Sequence, residues 1–143
     1  MADKAKPVDL ASFDDGIKRQ DAGILVPIKG PDGKTLLGFS VRVAGPDSER
    51  WRLAQEEMLG ELISGEVSDL SARDRLDRKT RFLAKVTMEF VPNVIIGGQE
   101  LSYSEDNAVK LFTTYGFVRE QVDNAAGNRG SFFKIPEDDS SKP

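Results

Sequence analysis

Hydrophobic positions cluster in two short β-prone runs in the first third of the chain and recur at helical spacing beyond it. The first run is Ile24-Leu25-Val26-Pro27-Ile28, the second is Leu36 to Val43, and Gly30-Pro31-Asp32-Gly33-Lys34 separates them. β-branched and large apolar residues around a Gly/Pro/Asp turn predict a β-hairpin. Pro31 suits the second position of a tight turn and Gly33 the left-handed backbone that follows Asp32. Pro27 has no N–H to give to a ladder, so the first strand is expected at a sheet edge or with a bulge. In the second run Leu37, Phe39, Val41 and Val43 alternate with small or polar residues, so one face of the hairpin is expected to be covered.

Helical periodicity starts after Gly45-Pro46. Asp47 or Ser48 is the expected N-cap, with Glu49 in the first turn where a carboxylate meets the positive end of the helix dipole. Trp51, Leu59, Leu62 and Ile63, with Met58 beside them, predict one broad apolar face and a helix to about Ile63, stopped at Ser64-Gly65. A second helix, capped within Ser68-Asp69-Leu70-Ser71, is expected to run to about Phe90. Leu76 and Leu83 point inward in this reading, Phe82 and Val86 fill the same side, and the helical pair covers the sheet. Val94-Ile95-Ile96 before Gly97-Gly98 reads equally as a strand, a buried extended loop or a connector. Ser104 caps a helix to Tyr115, Gly116 ends or kinks it, and Phe117, Val118 and Val122 predict a short last helix ending near Gly127.

The fold class expected is therefore α+β, an N-terminal β-hairpin or small antiparallel sheet followed by a mainly α-helical part. Residues 1–12 are expected as a flexible tail and 13–135 as a single domain, β-rich over 13–46 and helical over 47–135. Residues 136–143, with Glu137-Asp138-Asp139, are expected as a disordered acidic tail. A chain of 143 residues suits one such domain.

Composition narrows the chemistry. The chain has no Cys and no His. Thiolate nucleophiles, cysteine-held metals and the usual general base near neutral pH are thereby excluded, and the expected class is not an enzyme. A net charge of −4 argues against nucleic acid as partner. No apolar run approaches the about 18–20 residues that cross a bilayer, and the first ten residues carry charges where a secretory signal is apolar. The expected location is cytoplasmic, away from membranes.

The adjacent acidic pairs, such as Glu56-Glu57 and Glu105-Asp106, diverge on a helix, so neither a metal nor a cofactor is expected. The Gly-rich pieces Gly97-Gly98 and Gly127-Asn128-Arg129-Gly130 match no phosphate-binding pattern. Arg73, Arg75, Arg78, Lys79, Arg81 and Lys85 outnumber Asp74 and Asp77 along the second helix. They read as a solvated face with intrahelical ion pairs, or as a docking surface for an acidic protein, with Arg78, Lys79 and Arg81 as its candidate residues. Phe132-Phe133, beyond the last helix, reads as a latch onto the core or as a contact with a second copy or a partner.

Two segments carry a resemblance. Gly45-Pro46-Asp47-Ser48 leads from the hairpin into a charged helix. Later, an apolar connector leads to Glu105-Asp106-Asn107-Ala108, a Leu-containing helix and Arg119-Glu120-Gln121-Val122. This order, over roughly residues 13–133, resembles the tail assembly chaperones of long-tailed, siphovirus-type bacteriophages. Tyr115-Gly116-Phe117 departs from the Tyr-Pro form common there. The resemblance implies a chaperone in the host cell cytoplasm. It would bind the tape measure protein and keep it soluble, help recruit the tail tube protein, and be absent from the finished virion. A minor tail or head–tail joining protein of the virion is the competing reading, and self-association is compatible with either.

Removing residues from Pro136 onward is expected to leave the thermal midpoint almost unchanged in calorimetry; a large drop would show that this segment is packed.

Overall fold

The computed structural model describes residues 6–64 and 71–133, with the side chains of 62–64 left aside. The expected tail over 136–143, the stop at Gly65 and the caps at Ser68 and Asp69 lie outside the described residues. The class is α+β.

The chain enters through a single 3-10 turn, Leu10–Phe13, capped by the Asp9 carboxylate, and continues directly into helix α1, Asp14–Ala22. The expectation of a β-rich segment from residue 13 is corrected here. Asp14 and Asp15 favour the helix start, and tertiary contacts supply what the sparse apolar content does not. The ring of Phe133 lies where a side chain at Gly16 would stand, with ring carbon 2.0 Å from an ideal Cβ position. Glycine is therefore what allows the ring to approach the helix backbone.

The hairpin forms as expected. β1 (Ile24–Lys29) pairs antiparallel with β2 (Leu36–Val43), and the register shifts between Pro27 and Lys29. β1 is an edge strand, as Pro27 requires, and it is bulged as well. The turn closes through Gly33 N–H to Gly30 O (2.9 Å) and Gly30 N–H to Thr35 O (2.7 Å). The Asp32 carboxylate accepts from the Thr35 hydroxyl and the Thr35 and Lys34 amides, and these bonds hold its pKa down at about 2. On the exposed edge, the Gln121 side-chain amide accepts from Lys29 N–H (2.8 Å) and donates to Lys29 O (2.7 Å). It thus occupies backbone groups that would otherwise invite another strand.

Helix α2 spans Glu49–Ser64, and Ser48 is its cap, its hydroxyl accepting from Trp51 N–H at 3.1 Å. Helix α3 spans Ala72–Val86 and opens with a reciprocal Ser71/Asp74 capping box. It does not continue to Phe90: residues Thr87–Val91 form β3, paired antiparallel with β2. Two β-branched residues, Val86 and Thr87, stand at the switch. The Thr87 hydroxyl satisfies Leu83 O at 2.8 Å, ending the helix while the backbone turns extended and gains a ladder.

Val94–Ile96 is a strand, β4, in a hairpin with β5 (Gln99–Leu101). Gly97 and Gly98 both have positive φ, +61° and +80°, which a two-residue hairpin turn requires. Helix α4 spans Glu105–Thr114 with Ser104 as cap. Helix α5 spans Gly116–Gly127, so Gly116 starts a new helix after the break at Tyr115. A last turn, α6, covers Gly130–Phe133.

The core gathers Ile28, Val41 and Val43 from the sheet, Leu83 and Val86 from α3, and Leu111, Phe112 and Val122 from α4 and α5. Helix α5 packs on β1 and β2, α4 on α3, and α2 on α3. The expectation that the α2–α3 pair covers the sheet is corrected: α5 is the helix that lies on the hairpin.

Three consecutive residues of α1 tie these layers together. Arg19 donates to Phe132 O (2.7 Å) and Phe133 O (3.3 Å) on α6. Gln20, fully buried, donates to Asp47 Oδ2 (3.1 Å) and accepts from Asp47 N–H (2.7 Å). The Asp21 carboxylate accepts from Glu49 N–H (2.7 Å) at the start of α2. Arg129 closes the knot, its Nε and Nη2 donating to Asp47 at 2.6 and 2.9 Å. The Arg129 guanidinium foremost, with the Gln20 amide, holds the Asp47 carboxyl below the usual carboxylate range, against the opposing effect of partial burial.

A carboxyl depressed in the folded state adds stability above its unfolded pKa, and that stability is lost as pH falls through the folded value. Asp47→Asn is therefore expected to lower unfolding free energy by about 1–2 kcal/mol at neutral pH, a magnitude discounted for its partial exposure. In urea denaturation followed across pH, the gap to the wild type should close on the acid side of the carboxylate range.

Candidate functional site

The candidate cations sit on α3 where it faces α2. The two helices run antiparallel, with Arg50 Nη1 donating to Lys85 O (3.4 Å) at one end and Arg78 Nη2 donating to Met58 O (2.8 Å) further along. Arg81 meets the Glu61 carboxylate at 3.0 and 3.3 Å, and Arg78 adds a longer contact at 3.6 Å. These guanidiniums, Arg81 first, hold the Glu61 carboxyl below its ordinary pKa. Lys79 pairs with Asp123 of α5 at 2.9 Å.

The three candidates therefore differ in role. Arg78 is largely covered, with 17% of its side chain exposed, and clamps a backbone carbonyl of α2; Lys79 is 58% exposed in a surface pair. Arg81 stands between them in burial and serves as the α2–α3 strut. The expectation of intrahelical ion pairs along this helix is corrected: the pairs of these residues bridge between helices, Arg78 and Arg81 to Glu61 of α2 and Lys79 to Asp123 of α5.

Beside Arg78 and Lys79 lies an open groove of about 540 Å³ lined by Gln55, Met58 and Leu59 of α2 and by Arg78, Lys79 and Phe82 of α3. Trp51 flanks Phe82 edge-on, ring centroids 4.9 Å apart. Leu59 is 56% exposed and Leu76 is 44% exposed. Leu76 was expected to point inward, which is corrected, and Leu59 lies on an open part of the apolar face expected for α2. Residues 71–77 are all exposed, so the first turns of α3 are not covered by the other described residues. The spacing of Met58 and Leu59 was legible as an apolar stripe; which part of the stripe stays open was not.

Phe132 and Phe133 lie elsewhere. Phe132 is completely buried, so it is a core latch and no surface contact in this fold. Phe133 is half-buried against Gly16 and Phe13, ring centroids 5.9 Å apart in the second case. The structure thus separates the two candidate groups: the phenylalanines hold α6 to α1, while the cations and an apolar groove share the α2–α3 face.

Among the described residues no group of His, Cys, Asp or Glu is placed to hold a metal ion, and no helix is long and apolar enough to cross a membrane. No known protein family matches the chain, and neither the curated proteins nor the solved structures contain a match to it.

Arg78→Ala is expected to cost about 1.5–3 kcal/mol, because it strips a charged donor from a covered carbonyl, whereas Lys79→Ala costs about 0–1 kcal/mol. Chemical denaturation of the two variants checks the contrast, and equal losses would contradict it.

Proposed function

We propose that this chain is a tail assembly chaperone of a long-tailed bacteriophage. In the host cell cytoplasm it binds and solubilises the tape measure protein and helps recruit tail tube subunits, and it is absent from the mature virion. The observation that carries the reading is where the resembling segments lie in the fold. Asp47 and Ser48 form the joint between sheet and α2, through Gln20, Arg129 and the helix cap. Glu105 receives Lys85 at 2.9 Å across α3 and α4, and the Asn107 side chain donates to Ser102 O at 2.9 Å, fixing the entry to α4. Arg119 donates to Phe112 O at the end of α4, and Gln121 closes the β1 edge. Ala108 and Val122 are fully buried. Most residues of the pattern that prompts the resemblance thus take part in joining elements, while Asp106 and Glu120 are exposed.

Client holding needs apolar area left open on a soluble surface, and Leu53, Leu59 and Leu76 supply it on the α2–α3 pair among charged neighbours. A long helical client with apolar stripes is stabilised by covering such area.

The test is co-expression with the longest helix-rich protein encoded just downstream of this gene. The expected result is that the long protein becomes soluble only in company and co-purifies, while finished particles lack this chain. Failure of rescue together with retention in purified particles would instead assign it to the virion.

A further inference from the structure

The groove between α2 and α3 is built from two facing stripes. On α2, Trp51, Gln55, Met58 and Leu59 stand at i, i+4, i+7 and i+8, one side of a helix. On α3, Arg75, Arg78, Lys79 and Phe82 stand at i, i+3, i+4 and i+7, again one side. The floor is apolar and includes a methionine, whose flexible thioether adapts to varied side chains. The α3 rim is cationic, and among the described residues no carboxylate lines the groove. Arg75 extends that rim by one turn, is exposed, and among the described residues has no carboxylate partner. Lys79 is committed to Asp123 only by an exposed pair of the kind worth little in water, so it can be shared with an incoming anion.

We propose that this groove seats an amphipathic helix of the client, whose apolar stripe lies on Met58, Leu59 and Phe82 and whose flanking carboxylates meet Arg75 and Lys79. The inference rests on the chaperone reading in assigning the helix to the client. Charge complementarity selects the occupant: cations along one rim favour an acid-flanked helix and disfavour a basic one. The apolar floor disfavours nucleic acid, whose affinity comes from phosphates. The lining runs from Gln55 to Leu59 on α2 and from Arg78 to Phe82 on α3, and apolar residues at helical spacing are what a helix docks on in a groove.

The chain carries its own reporter, because its single tryptophan, Trp51, packs on Phe82 at the groove wall. The probe is a synthetic helix with leucines at i, i+3 and i+7 flanked by glutamates, against the same helix flanked by lysines and a scrambled control. Addition to the full chain should give a saturable shift of Trp51 emission for the glutamate helix, with the lysine helix about tenfold weaker or worse. Leu59→Asp should weaken the glutamate helix by about tenfold or more, and Lys79→Glu should move the preference towards the lysine helix. Both positions are exposed, and circular dichroism melting verifies that the variants fold. Equal binding of all three peptides, or binding that both variants keep, overturns the proposal. So does a stable dimer of the chain alone that Leu59→Asp dissolves, which would give the groove to a second copy. The two readings fail separately. If both variants still rescue the downstream protein on co-expression, the groove assignment falls and the chaperone reading stands. If the glutamate helix binds as expected but the wild type rescues nothing, the client assignment falls with the chaperone reading.

Discussion

A buried side-chain amide has to find its hydrogen-bond partners inside the protein or cost the fold their full desolvation. Gln20 is fully buried, and both ends of its amide go to one residue, Asp47, donating to the carboxylate and accepting from the backbone N–H. That commitment fixes the loop between β2 and α2 against α1. It also positions the Asp47 carboxylate to take Arg129 from the far end of the chain. The neighbours of Gln20 extend the same constraint, Arg19 to α6 and Asp21 to the first turn of α2. A nine-residue helix with little apolar surface thereby registers the sheet, the helical pair and the C-terminal turn against one another.

What this arrangement leaves open is the α2–α3 pair. The body is completed by α5 on the hairpin and α4 on α3, so α2 is held by one neighbouring helix along its length. Interhelical guanidinium contacts, Arg78 to Met58 O and Arg81 to Glu61, keep the pair together while Leu59 and Leu76 remain exposed. Salt bridges at this level of exposure contribute modestly, but a clamp on a covered carbonyl is worth more. The pair is thus clamped helix to helix and apolar on its outer groove, a combination suited to holding another helix.

The elements with strong local signals were legible in the sequence. The β1–β2 hairpin has alternating residues around a Gly-Pro-Asp-Gly turn, and Ser48, Ser71 and Ser104 cap helices where side-chain chemistry predicts. Those whose reasons are tertiary were not. Helix α1 lacks an apolar stripe and contains Gly16, whose purpose is visible only once Phe133 is seen lying on it. Strand β3 continues the helical spacing of Leu76 and Leu83, seven residues apart, to Phe90, and pairing with β2 overrides it. β4 was one of three open readings because three apolar residues carry no period of their own. At the candidate site the cations were legible as a cluster and the apolar stripe of α2 as a stripe. Their adjacency, and the exposure of Leu59 and Leu76, depend on how the helices pack, which no local pattern encodes. Phe132 was readable as core or contact, and burial decides it.

A client helix seated as proposed would cover the α2–α3 face. Hydrogen–deuterium exchange on the co-purified complex, compared with the chain alone, tests it most directly. The account predicts new protection over residues 51–61 and 75–82, with the β1–β2 hairpin and α5 unchanged. Protection confined to the hairpin or to the α1–α6 contact, with the α2–α3 pair exchanging as in the free chain, would contradict it.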